Sequence, residues 1–186
     1  LVDGVAVLRG RVGEAVHYYE EMTLAKTARK YEADRAHVLF SDESPNGSDF
    51  QIVRIEALDS NGLPKAQVCT WDSLTLRVYF RAERAVKHGA VEIHISTTAG
   101  MLLLRLSTQP DSGVPVEIGP GRHYIDCEID QLPLASGDYL LGCGLTVPGV
   151  EWLCWRDEIA LLNVRDRDVF GSGTAPASGE GIRLLR

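Results

Sequence analysis

The sequence predicts an all-β protein, an antiparallel β-sandwich, preceded by a helical N-terminal extension. Three observations lead there. From Phe50 onward apolar and polar residues alternate with period two, the spacing of a strand with one buried face. Turn-forming Gly, Pro, Asn and Asp residues interrupt that alternation roughly every ten residues, which makes about seven to nine short strands. Before it, "SDESPNGSD" (Ser41 to Asp49) has the acidic, Ser, Pro and Gly composition of a connection, and upstream of it the period is helical.

The elements follow in order. "VAVLRGRV" reads as a short strand and turn. "GEAVHYYEEMTLAKTARKYEAD" reads as a helix, with Val16, Tyr19 and Thr23 on one side and Tyr18, Met22 and Ala25 on the adjoining one. Glu14 near its start and Lys26, Arg29 and Lys30 near its end suit the helix dipole. Residues 1–33 therefore form one unit, 34–49 a linker and 50–186 the β domain. In that domain "FQIVRIEALDSNG" is a strand closed by a turn. "SLTLRVYFRA" sets Leu74, Leu76, Val78 and Phe80 against Thr75, Arg77 and Tyr79. "AVEIHIST" sets Val91, Ile93 and Ile95 against Glu92, His94 and Ser96, and "MLLLRLST" returns after Gly100 as a hairpin. "RHYIDCEID" sets His123, Ile125, Cys127 and Ile129 against Tyr124, Asp126, Glu128 and Asp130. "DYLLGCGLTV", "WLCW", "EIALLNV" and a terminal "GIRLL" complete the strands. No strand–helix–strand alternation occurs, which excludes a nucleotide-binding α/β fold for this stretch.

Bulk composition narrows the function. A net charge of −7, with no basic cluster, argues against nucleic acid or an anionic membrane surface as partner. No apolar run reaches the ~20 residues that span a bilayer. The first residue is Leu, so the chain reads as a piece of a longer protein. Cys69, Cys127, Cys143 and Cys154 lack C-x-x-C spacing and read as reduced thiols, three of them inside strands, which favours the cytoplasm.

Catalytic signals are weak. "GSGTAPASGEG" is glycine-rich but has no Gly-Lys-Ser/Thr ending, and reads as a flexible connection. There is no G-x-S-x-G elbow. Asp126, Glu128 and Asp130 lie about 6.5–7 Å apart along one strand face, a separation glycosidases use, but a strand showing acids to water is far commoner. The sequence asks for no metal and no cofactor.

The aromatic residues carry more. Trp and Tyr rings cover the C–H faces of sugars while polar neighbours take the hydroxyls. Strand parity puts Tyr79 with Arg77, and Tyr124 with Asp126 and Glu128, on polar faces. His94 is also outward, placed to bond a ligand hydroxyl. Trp152 and Trp155, three apart, face opposite ways on an extended strand, one inward and one outward. Arg77, Tyr79, His94, Tyr124, Trp152 and Trp155 are the candidate carbohydrate-binding residues.

The order of these segments resembles one family, the C-terminal carbohydrate-binding domain of Wzt-type ATPases of O-antigen ABC transporters. The resembling pieces are "VRIEALDSNG", "AVEIHISTTAG", "IGPGRHYIDCEIDQLPLASGDYLLGCGLTV", "DEIALLNV" and the tail "GEGIRLL", from about Val53 to Leu185. "VLRGRVGEAVHYYEE" looks like the close of the ABC ATPase domain; the P-loop and ABC signature would lie upstream. The resemblance implies an immunoglobulin-like sandwich that recognises O-antigen polysaccharide before export across the inner membrane, without catalysis in this piece. It also implies a homodimer that exchanges its C-terminal strand, a permease partner reached through the ATPase domain, and a cytoplasmic location peripheral to the inner membrane. Two other readings remain: a structural dimerisation or assembly domain without glycan binding, and a glycan-processing enzyme using Asp126 or Glu128.

Overall fold

The computed structural model describes residues 37–109, 113, 116–169 and 171–173. The expected N-terminal helix and the terminal "GIRLL" strand lie outside the described residues.

Ten strands run β1 (Val38–Ser41), β2 (Phe50–Leu58), β3 (Val68–Cys69), β4 (Leu74–Ala82), β5 (Val86–Thr97), β6 (Leu102–Ser107), β7 (Val116–Ile118), β8 (Gly121–Ile129), β9 (Gly137–Val147) and β10 (Glu151–Arg165). They form two sheets. Sheet one has the order β1-β2-β4-β8; sheet two has the order β3-β10-β9-β5-β6, with β7 paired to the first part of β5. All pairings are antiparallel except that of the two-residue β3 with the end of β10.

The alternation of the sequence is the alternation of burial. In β4 the buried set is Leu74, Leu76, Val78, Phe80 and Ala82, and the residues between them are half-exposed. β5 sends Val91, Ile93 and Ile95 inward, and β9 sends Tyr139, Leu141, Cys143 and Leu145. Burying such a side chain is worth about 1.5–3 kcal/mol before chain entropy is counted, so a one-residue slip of register would expose a whole row and is strongly disfavoured.

The sandwich starts earlier than the periodicity implies. β1 falls inside the segment read as linker, yet it pairs with β2, and Phe40 is part of the core. Four residues beside an acidic loop are too few to show a period. At the other end, "WLCW" and "EIALLNV" are one continuous strand, β10, interrupted by register shifts between Trp152 and Cys154 and between Arg156 and Ala160. Glu158, in the second shift, has φ of 47°, the left-handed conformation that lets a strand absorb extra residues.

Two local devices fix the connections. Asp59 Oδ1 accepts the backbone N–H groups of Asn61 and Leu63, closing the turn after β2, and Gly62 sits at φ 75° where a side chain would strain. At the start of β9 the fully buried Tyr139 donates its hydroxyl to the carbonyl of Ala135 at 2.8 Å. This is the arrangement of a tyrosine corner, which pins a crossover loop of a sandwich to the strand that follows.

The sheets are less closed at one seam. The inward residues of the edge strand β8, Ile125, Cys127 and Ile129, are only partly buried, as are Leu104 and Leu106 of the facing edge strand β6. A cleft of about 460 Å³ opens there, lined by Val91, Ile93, Leu106, Ile125 and Cys127, with Asp126 and Glu128 at the rim.

Tyr139→Phe removes the hydroxyl and leaves the Ala135 carbonyl without that donor. The expected loss is about 1–3 kcal/mol, seen in urea unfolding as a lower midpoint with an unchanged slope.

Candidate carbohydrate-binding surface

The six sequence-derived candidates fall into two groups on the outward faces of the two sheets, and the structure brings each group together separately.

Arg77, Tyr79 and Tyr124 lie on sheet one, where Arg77 pairs across β4–β8 with Asp126, and Tyr79 with Tyr124. The Arg77 guanidinium forks onto Asp126 at 2.7 and 2.8 Å, and this carboxylate holds the arginine's proton well above its ordinary range. Arg77 also covers the Tyr124 ring at 4.6 Å, and the Tyr79 ring lies 5.8 Å from that of Tyr124. Tyr79 donates its hydroxyl to Glu56 at 2.9 Å. Its pKa is raised, first by burial and then by that carboxylate, so the hydroxyl stays protonated and keeps donating. Glu56 is also paired with Arg54. The catalytic carboxylate reading loses one member here, because Asp126 is committed to Arg77.

His94, Trp152 and Trp155 lie on sheet two. Contrary to the parity expectation, the two tryptophans share a face. In the pairing with β9, Trp152 stands opposite Thr146, Cys154 opposite Leu145 and Trp155 opposite Gly144. Leu153 is the extra residue of a bulge, and one extra residue converts a spacing of three into a spacing of two. The rings meet with centroids 4.8 Å apart at 60°, forming a step rather than a flat strip, and Trp152 is 51% exposed.

What seats the step is a pair of glycines the sequence reading passed over. β9 turns Leu140, Gly142, Gly144 and Thr146 outward, so two successive outward positions have no side chain. The Trp155 indole lies across them. A Cβ on Gly142 would stand 3.0 Å from its ring; one on Gly144 would stand 2.6 Å from it and overlap the Cys154 carbonyl. The indole N–H is fixed by Asp157 Oδ1 at 2.6 Å.

Beyond the glycines the ring reaches β5 and β6. The His94 ring is 4.5 Å from that of Trp155. Its Nε2 is buried, makes no hydrogen bond and lies 3.4 Å from the Glu92 carboxylate, so that nitrogen is turned into the protein rather than toward a ligand hydroxyl. Glu92 is outward by parity and nevertheless only 4% exposed, with both oxygens held by the Arg105 guanidinium at 2.9 and 2.8 Å. Arg105, His94 and Gly142 make one row across β6, β5 and β9, and Trp155 stands in the neighbouring row, opposite Gly144 and Glu92, with its ring laid over Gly142. Glu92 and Arg105 were missed because their pairing depends on cross-strand register, whereas Asp157, two residues from Trp155 on the same strand, and "GCG" beside "WLCW" were readable signals.

Cys143 is buried in the core and Cys127 and Cys154 pack against it, while Cys69 is half-buried outside it. Burial pushes the Cys127 thiol up to about 11 and raises those of Cys143 and Cys154 as well, which leaves them protonated and unreactive near neutrality. Among the described residues no three of His, Cys, Asp and Glu converge as metal ligands would, and no helix is long and apolar enough to cross a membrane.

A two-sheet β-sandwich with exposed rings on both outward faces, Tyr124 at 59% on sheet one and Trp152 at 51% on sheet two, defines the class of this protein as a β-sandwich domain with ring-bearing faces. A family model described as the Wzt C-terminal domain matches residues 46–175, and the chain belongs to that family. The fold is also similar to a solved structure described as the crystal structure of the C-terminal domain of wzt, with a TM-score of 0.65 at 17% identity, covering 84% of this chain and 92% of that one. None of the curated proteins matches this sequence.

Gly144→Ala is expected to lift Trp155 off β9. The indole N–H resonance shifts as its bond to Asp157 is lost, and thermal stability falls by about 1–3 kcal/mol, the usual cost of overpacking; Gly119→Ala, at an open position, leaves the indole resonance unchanged.

Proposed function

We propose that this chain is the polysaccharide-recognition part of an ABC transporter ATP-binding subunit, and that it holds O-antigen glycan on the Trp152–Trp155 step without catalysing a reaction. The family supports the transporter context, and the tyrosine corner supports an immunoglobulin-like form of the sandwich. The observation that carries the glycan reading is the step itself. Two indoles meet on an outward sheet face, Trp152 half exposed and Trp155 seated on the neighbouring strand where two glycines leave room for it. Packing on the glycines accounts for Trp155 but not for the half-exposed Trp152 ring beside it, and ring faces of this kind suit the C–H faces of sugars.

Of the two faces, that of sheet two is favoured. On sheet one the polar groups are tied to one another: Arg77 to Asp126, Tyr79 to Glu56, and Arg81 to Gln51 and Glu83. A sugar hydroxyl there would have to displace protein hydrogen bonds for little net gain. Arg77, Tyr79 and Tyr124 are read as a supporting network, and Trp152, Trp155 and the flank of His94 as the contact surface.

The second reading, an assembly domain, draws on the open seam. Among the described residues β6 and β8 are both edge strands, with half-buried apolar residues facing the cleft. Unpaired edges invite a further strand, and "GIRLL" of a second copy is the proposed occupant, giving the homodimer. The two readings are compatible, since the seam and the step use different surfaces.

Calorimetric titration with the exported polysaccharide separates them. Trp152→Ala and Trp155→Ala are each expected to weaken binding about tenfold or more, while Tyr124→Ala changes it less than twofold. Loss with Tyr124→Ala and not with the tryptophan variants would move the site to sheet one. No binding by a chain that still dimerises would leave the assembly reading alone.

A further inference from the structure

The step has a definite charge environment. In sequence it is "EWLCWRDE": Glu151 precedes Trp152, and Asp157 and Glu158 follow Trp155, all three acids exposed. Asp157 is in contact with the step through its 2.6 Å bond to the indole N–H.

The arginines around it are engaged. Arg105 forks onto the buried Glu92, which offsets its charge. Arg156 points to the other side of β10, over the Phe40 ring at 5.2 Å and beside Asp42 at 3.4 Å. Arg84 is shared by Asp49 at 2.9 Å and Glu151 at 3.9 Å, so two acids divide one cation. Lys87 and His88 are exposed on β5 just past the row in which Ala90 pairs with Thr146 and Thr146 with Trp152, two strands away from β10. Indole faces are themselves the negative side of a quadrupole.

We infer that the tryptophan step selects sugar residues that carry no negative charge, and discriminates against uronate-bearing or phosphate-bearing glycan. This inference rests on the step being the glycan site and adds the class of sugar it takes. An anionic substituent on a residue stacked there lies within about one Debye length of Glu151, Asp157 and Glu158, and among the described residues the flanking Arg84, Arg105 and Arg156 are each already paired with a carboxylate. A neutral pyranose offers C–H groups to the rings and hydroxyls to the carboxylates, which accept hydrogen bonds from it.

The test uses the 186-residue chain, with matched pairs of hexose oligosaccharides (gluco, manno and galacto) and their C6-oxidised uronate counterparts, read by the indole N–H resonances and by calorimetry. The neutral member of a responding pair is expected to bind at least about tenfold more tightly at low salt. The gap should narrow at about 0.5 M salt and in the isosteric variant E151Q/D157N/E158Q, in which the amide oxygen introduced by D157N keeps an acceptor for the indole. A uronate that binds as tightly as its neutral partner, or a gap indifferent to both salt and the variant, overturns the selectivity and leaves the glycan site standing. No response from any pair at the indoles overturns the glycan site and the selectivity with it.

Discussion

The packing of one indole onto a bare stretch of backbone organises this domain's distinctive surface. Trp155 can lie flat on sheet two only because Gly142 and Gly144 remove two successive outward side chains from β9. A ring stacked on backbone gains dispersion contact along its whole face, and the cost is borne by β9, where glycine is an entropically poor strand residue. β9 tolerates this because it is a central strand, paired along most of its length with both β5 and β10, and because its inward positions are filled by Tyr139, Leu141, Cys143 and Leu145. The core therefore stabilises a strand that its outward face leaves bare.

From that contact the neighbouring features follow. With Trp155 laid over Gly144, the Glu92 side chain opposite that glycine is covered, and a covered carboxylate needs a strong partner. Arg105, one strand further, supplies two hydrogen bonds to it. His94 is held between the ring and the carboxylate. The bulge at Leu153 then brings Trp152 to the same side, so a single inserted residue decides whether the domain shows one ring or two. Geometry on this face is thus coupled: the bulge, the glycines and the Glu92–Arg105 pair each depend on the presence of the others.

This coupling explains what could be read from the sequence. Burial by parity was legible wherever a strand was long and regular: β4 and the second half of β5 alternate as the residues do. The outward placement of Arg77, Tyr79, His94 and Tyr124 follows from the same rule. Parity failed at Trp152 and Trp155 because a bulge has no compositional mark there; Leu153 is an ordinary strand residue, and only the pairing with β9 shows it to be extra. Glu92 and Arg105 were legible as outward residues and not as partners, since they stand 13 positions apart on the two arms of a hairpin whose register the residues do not announce. β1 escaped because a four-residue strand beside "SDESPNGSD" has no room to display a period.

The two faces also differ in what they leave to do. On sheet one, charge meets countercharge at each step: Arg77 with Asp126, Arg54 with Glu56, Arg122 with Glu43. Pairs of this exposure add little stability each, so their organisation is better understood as a surface whose charged groups are largely engaged with one another. Sheet two ties the covered Glu92 to the half-exposed Arg105 beside the rings, and leaves apolar ring area at Trp152. A glycan gains on desolvating such area, and gains less where each hydroxyl must replace an existing bond. The two faces therefore differ in where glycine, rather than charge, occupies the outward row: on sheet two it makes room for an indole, and the ring area left above it is what the proposed glycan would cover.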